Sequence, residues 1–203
     1  MIEKNRSDIT KEELILFEEC GYVCIDTETT GLNYLTDRLC TIQLYAGNTG
    51  ILIYFSETTK YPNLIKLLMS KKILKIFHNA VFDVSFLMTA LRIDNFGILA
   101  CTKISSKLMH GLEYNNSLKH LLKEYLDIEI EKTMQLSDWS KKTLSLEQKE
   151  YAMNDVRYLY SLWILLAEEL KEAGLLKLAY DCFEFVPRYK SLTDMGINNI
   201  FTY

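Results

Sequence analysis

Two acids one residue apart, Asp26 and Glu28, end the apolar run Tyr22-Val23-Cys24-Ile25 and precede the turn Thr29-Thr30-Gly31. In an extended strand, residues i and i+2 face the same way. The spacing therefore predicts two carboxylates projecting from one face of a strand whose first half is core. Charges placed like this are costly to desolvate, and they repel each other. A divalent cation held by oxygen ligands relieves both costs. The pair reads as half of a metal site.

Two other segments offer the remaining half. Asp83 follows His78-Asn79-Ala80-Val81-Phe82 and falls one turn inside a predicted helix. If the strand before that helix lies beside the strand of Asp26, the Asp83 carboxylate points toward the end of the Asp26 strand. Taken alone, an acid in a first helical turn simply complements the helix dipole. Tyr151 and Asp155 stand four apart in another predicted helix and so share a face. That face borders the apolar stripe Ala152, Val156, Leu159, Trp163, Leu166 and Leu170. Taken alone, these two are a surface Tyr/Asp pair near a helix start.

The elements that must position these groups can be read from periodicity and turn signals. The sequence predicts a helix over 11–20, ended by Gly21, and strands over 22–27, 39–45 and 51–55, the last two joined by Gly47-Asn48-Thr49-Gly50. A helix over 62–69 opens on Pro62, a strand covers 73–78, a helix 80–91 and a short strand 98–101. Helices follow over 102–110, 117–126, 146–172 and 175–184. The pattern predicts an α/β fold, a mixed five-stranded sheet flanked by helices with a helical C-terminal half. No repeat, low-complexity tract or linker interrupts the 203 residues, so a single domain over 1–203 is expected.

Composition narrows the functional classes. Hydrophobic content of 49% and charged content of 25% are those of a soluble globular chain. The first residues have no apolar core for a secretory leader. The longest apolar stretch, 158–167, is about half a membrane span, so no membrane role is expected. Cys20, Cys24, Cys40, Cys101 and Cys182 are odd in number and contain no C-x-x-C. They read as reduced thiols of a cytoplasmic protein, and the histidines lack zinc-finger spacing with them. The net charge of −4 offers no broad basic surface for tracking along a long nucleic acid. Any nucleic-acid substrate is expected to be short and gripped locally.

Taken together and in order, Asp26-x-Glu28, His78-Asn79-x-x-x-Asp83 and Tyr151-x-x-x-Asp155 resemble the DEDD family of 3′-5′ exonucleases, in the subgroup with tyrosine in its third motif. Further segments are similar to its ribonuclease D branch: Asp37-Arg38-Leu39-Cys40, Lys75-Ile76-Phe77-His78, Cys101-Thr102-Lys103-Ile104, Ser137-Asp138-Trp139 and Glu150-Tyr151-Ala152. The tail, Cys182-Phe183-Glu184-Phe185-Val186-Pro187 with Asp194-Met195-Gly196, resembles the compact oligoribonucleases of that branch, the nanoRNase C group. The resemblance implies a ribonuclease H-like fold and a metal-dependent 3′-5′ exoribonuclease. It also implies short single-stranded RNA as substrate, dinucleotides above all, and a ring-like homo-octamer. The helical nucleic-acid-binding domains of ribonuclease D itself are not matched. Processing of structured RNA 3′ ends stands as the alternative activity, and a catalytically silent RNA-binding module as the alternative class.

Roles follow for single residues. Hydrolysis of a phosphodiester can use two divalent ions roughly 3.5–4 Å apart, and hard oxygen ligands suit Mg2+ or Mn2+. Asp26 is expected to bridge them, Asp83 to serve the leaving-group side, and Glu28 and Asp155 the nucleophile side. A phenol with an ordinary pKa near 10 is a poor base at neutral pH, so Tyr151 is expected to orient a water. The resemblance adds Glu28 at the terminal 3′ hydroxyl, Asn79 at the scissile phosphate and Leu32 wedged between the last two bases. Thr29 joins the substrate-binding set. Phe82 reads either as a base-stacking ring or as core, and His78 as a phosphate contact or a satisfied strand-end histidine. Lys103, Lys107 and Arg38 are candidates for a 5′ phosphate. Trp139 is expected to be structural, its indole N–H on an acceptor, fixing the loop that delivers Tyr151.

Overall fold

The structure, a computed structural model, describes residues 1–131, 133–197 and 199–201. Its centre is β2 (Tyr22–Thr29). One side of β2 pairs antiparallel with β3 (Leu39–Ala46), and β3 pairs antiparallel with β4 (Thr49–Tyr54). The other side pairs in parallel with β5 (Leu74–Phe77), which pairs in parallel with β6 (Leu99–Cys101). The strand beside Asp26 is therefore the one that leads to Asp83, as the sequence required. Val23, Cys24 and Ile25 are fully buried, which explains why this strand reads as a continuous apolar run.

Among the described residues the sheet has six strands, one more than expected. The addition is β1 (Ile2–Asn5), an edge strand parallel to β4. It carries no apolar alternation, because a solvent-facing edge is served by charge rather than by hydrophobic residues. Glu3 holds it in place, accepting from Tyr54 Oη at 3.2 Å and pairing with Lys149 Nζ at 2.9 Å.

Helices cover both faces. α1 (Lys11–Cys20) starts on a Thr10/Glu13 capping box and stops at Gly21 in the left-handed region. α2 (Pro62–Met69) opens on its proline. α3 (Ala80–Leu91) is buried on most of its circumference, and α4 (Thr102–His110) and α5 (Leu118–Leu126) follow β6. The helix expected over 146–172 is two, α6 (Leu146–Arg157) and α7 (Leu159–Glu172), which meet at Tyr158. α6 packs on β2, β3 and β4 while α7 packs on β5, α4 and α5. One straight rod cannot follow both parts of a twisted sheet. The final helix, α8 (Leu176–Asp194), runs well past the expected end at 184 and through Pro187. Ala179, Phe183 and Val186 anchor it in the core, and that packing outweighs the hydrogen bond a proline removes.

The elements share one hydrophobic core. The five cysteines are unpaired. Among the described residues, no helix is long and apolar enough to cross a membrane.

Candidate active site

The end of β2 is distorted where the acids stand. Glu28 lies opposite Thr41 and Thr29 opposite Leu39, so the register slips by a residue between Glu28 and Thr29. Such bulges bend a strand and re-aim its side chains. The chain beyond is fixed by Thr30 N donating to Arg38 O at 3.0 Å and Arg38 N donating to Thr30 Oγ1 at 2.9 Å. A Cβ at Gly31 would meet the Asp37 carboxylate at 2.5 Å, so a larger residue there would make that side chain move.

Asp26, Glu28 and Asp155 each present a carboxylate oxygen within 4.8 Å of the others. Segments far apart in the chain thus converge on one point. Asp83 is adjacent but outside that trio. It is only 2% exposed and accepts a hydrogen bond from Thr27 Oγ1 at 2.7 Å. Thr27 thus ties Asp83 to β2, and the Asp83 charge acts on both Asp26 and Glu28.

Burial and mutual repulsion set the protonation of the cluster. Burial pushes Asp26 well above the carboxylate range, and the charges of Asp83, Asp155 and Glu28 push it further. Glu28 is raised to about 9 by burial, then by Asp155 and Asp83. Asp83 is raised to about 7 by burial, against the opposing hydrogen bond from Thr27. Tyr151, half-buried in α6, is held above its ordinary value first by burial and then by the charge of Asp155, to which it also hydrogen-bonds. A phenol in that setting keeps its proton.

α6 delivers Tyr151 and Asp155 through its N-terminus. Ser145 and Gln148 form a capping box. The Gln148 amide also donates to Ser137 Oγ at 3.0 Å and to Asp138 O at 3.1 Å. Trp139 is buried and packs on Tyr151, ring centroids 6.0 Å apart, as expected of a residue fixing this loop. Its indole N–H, expected on an acceptor, has none.

The other expected residues are placed as follows. His78 Nδ1 lies 2.9 Å from Thr102 Oγ1, linking β5 to the start of α4. Asn79 is the exposed N-cap residue of α3, with no capping hydrogen bond from its side chain. Phe82 is half-buried against Phe86, centroids 4.8 Å apart. Lys103 is half-buried in the first turn of α4 and Lys107 is exposed. Thr29 Oγ1 donates to Gly31 O at 2.5 Å. Leu32 is 86% exposed, so it is not a core leucine.

The 3′-5′ exonuclease family profile matches residues 6–171, most of the chain. The chain belongs to the 3′-5′ exonuclease family. Among curated relatives it is 32% identical to ribonuclease D of Haemophilus influenzae, over 76% of this chain and 38% of that protein. It is 31% identical to DNA polymerase I of Aquifex aeolicus, over 80% of this chain and 26% of that protein. The chain therefore spans well under half the length of these relatives. Among solved structures, Brucella melitensis NrnC bound to pGG superposes with a TM-score of 0.90 at 38% identity, covering 100% of this chain and 99% of that one. The same protein with bound Mg2+ gives 0.87 at 37%, covering 100% of both chains. Escherichia coli RNase D, at 22% identity and a TM-score of 0.82, shares the fold over 93% of this chain and 50% of that one.

In this member of the family the ligand set fits a hard divalent cation. Every candidate ligand is a carboxylate oxygen. A further residue, not singled out from the sequence, points the same way. Gln43 is fully buried and sits directly opposite Asp26 in the β2/β3 register, hence on the same face. Its Nε2 donates to Thr41 Oγ1 at 2.8 Å, while its Oε1 has no partner. A buried acceptor left bare beside carboxylates suits a site that brings its own donors, as a hydrated cation does. No spacing rule marks Gln43. Only the register finds it.

Proposed function

We propose that the chain is a single exonuclease domain that hydrolyses short oligoribonucleotides from the 3′ end, dinucleotides above all, to nucleoside 5′-monophosphates in the cytoplasm. The observation that carries the proposal is the meeting of Asp26, Glu28 and Asp155 within 4.8 Å, with Asp83 close enough for its charge to act on Asp26 and Glu28. The likeness to NrnC bound to pGG, along the whole of both chains, supports the short substrate.

Asp26, Glu28, Asp83 and Asp155 would hold two divalent cations, Mg2+ or Mn2+. Bound there, such ions acidify a water and neutralise charge on the phosphate. The chain's own groups do the rest. Tyr151 keeps its phenolic proton and hydrogen-bonds to Asp155, so it orients the attacking water rather than deprotonating it. Thr27 fixes Asp83 in one rotamer, which holds the leaving-group side of the site. Leu32, exposed beyond the turn after Glu28, meets the terminal bases, and Phe82 stacks on a base or sugar. Asn79, His78 and Lys103 line up from the end of β5 to the first turn of α4, the position for the phosphates.

Substrate length tests the reading. Labelled RNAs of 2, 5 and 20 nucleotides, each with Mg2+, should be turned over fastest at the shortest length. Clear preference for the 20-mer would favour processing of longer RNA, the reading that the ribonuclease D relatives support. We further propose a homo-oligomer, an octamer by resemblance to nanoRNase C. Met195, Ile200 and Phe201 are exposed near the C-terminus at 73%, 55% and 78% and offer an apolar contact. Sedimentation of a single-chain species across micromolar concentrations would refute the assembly.

A further inference from the structure

A basic cavity lies near the carboxylates. The end of β1, the start of β3, the end of β4 and the loop over 139–143 line an open cavity of about 760 Å³. That is the scale of small-molecule sites. Arg6, Arg38, Lys141 and Lys142 line it against a single acid, Glu57. Among the described residues, no ion pair involves any of the four cations. In a chain of net charge −4, four unpaired cations around one cavity reverse the local field.

The lining also holds aromatic side chains. Trp139 is 4% exposed and only backs the wall. Phe55, half-buried in the same lining, stacks on Tyr61 with centroids 5.1 Å apart.

We propose that this cavity binds a nucleoside monophosphate. The phosphate lies among Arg6, Arg38, Lys141 and Lys142, where charge-assisted hydrogen bonds are strong. The base lies by Phe55, since any base can stack on an aromatic face. Inorganic phosphate would leave most of the volume and the Phe55 ring unused. A long RNA strand gains nothing from the acidic charge of the chain as a whole. The assignment rests on the cavity and does not require hydrolysis at the carboxylate cluster.

The test uses the full chain with divalent metal removed by a chelator, so that no cation holds phosphate at the carboxylate cluster. Adenosine 5′-monophosphate, adenosine and inorganic phosphate are titrated by calorimetry and by the nitrogen-15 indole resonances, with Trp139→Phe assigning its signal. The monophosphate should bind saturably and shift the Trp139 N–H resonance, with adenosine and phosphate weaker by about tenfold or more. The exposed pair Lys141→Glu/Lys142→Glu should weaken monophosphate binding about tenfold or more, with an unchanged circular dichroism spectrum. Asp26→Asn/Asp155→Asn should leave it intact. No saturable binding of the monophosphate would overturn the proposal. So would binding that survives the lysine reversals and disappears with the aspartate pair. A 20-nucleotide RNA that depends on Lys141 and Lys142 while the monophosphate does not bind would reassign the cavity to strand contact.

Discussion

Four carboxylates in one small volume cannot all ionise without a counter-charge, and this constrains every residue of the candidate site. Asp155 completes the trio and holds Tyr151. Asp155→Asn is expected to lower turnover on the order of 10³-fold, the scale of a lost electrostatic clamp. Tyr151→Phe removes only the hydroxyl and leaves the ring on Trp139, so a loss of about 10²-fold is expected. Initial rates on a labelled dinucleotide, with thermal melting to verify the fold, would check both. Wild-type rates in either variant would remove that residue from the site. At this scale the sequence was informative where spacing alone fixes a face. Asp26 and Glu28 at i and i+2, and Tyr151 and Asp155 at i and i+4, needed only local geometry. Asp83 and Gln43 needed the pairing of β2 with its two neighbours.

Secondary-structure elements carry constraints of their own. β5 contributes Lys75, which is 0% exposed and, among the described residues, is in no ion pair. Its Nζ donates to Ser70 O and Ile73 O and lies 5.9 Å from the Phe96 ring centre. Gly97 packs so tightly on this knot that a Cβ would overlap Ser70 O at 1.9 Å. Burial lowers the Lys75 ammonium to about 7, against an ordinary 10.5. Between those values the unfolded chain binds more protons than the folded one, so stability rises with pH across about 7 to 10.5. Melting curves in chelator should show that Lys75→Met loses this rise. An identical pH slope in the variant would mean that Lys75 titrates normally. The loop carrying Leu32 depends on an element whose length was not legible. Tyr34 donates to Asp194 Oδ1 at 2.8 Å, and Lys190 lies 5.2 Å over the Tyr34 ring. Both partners belong to the part of α8 beyond Pro187, where a proline normally signals a stop. The break at Tyr158 carried no signal either, since no proline or glycine marks it.

For the molecule as a whole, folding without a cation must keep the cluster protonated. Glu28 is raised to about 9 from an ordinary 4.5, and Asp83 to about 7 from 3.8. The folded chain then binds more protons than the unfolded one between those limits, so this contribution to stability falls as pH rises from about 4 to 9. A cation that replaces the protons removes the loss and stabilises only the native state. Mg2+ should therefore raise the melting temperature over a chelator control, and by more at pH 8.5 than at pH 5.5. Lys75 contributes equally to both curves, so their difference isolates the cluster. A shift of zero, or one independent of pH, would count against a four-carboxylate site.

The sequence by itself determined the chemistry on offer, because residue type and local period fix which groups a strand end or a helix face presents. It also determined most of the elements, since apolar period, Gly21, Pro62 and the capping residues act within a few positions. Tertiary structure decided what only distance through space can decide. It brought residues 26, 28 and 155 within 4.8 Å and placed bare Gln43 Oε1 across from Asp26. It recruited a charged edge strand through Glu3, split one helix at Tyr158, and carried α8 through its proline. In each of those cases packing against partners remote in sequence outweighed the local preference, and no short window of sequence records such a balance.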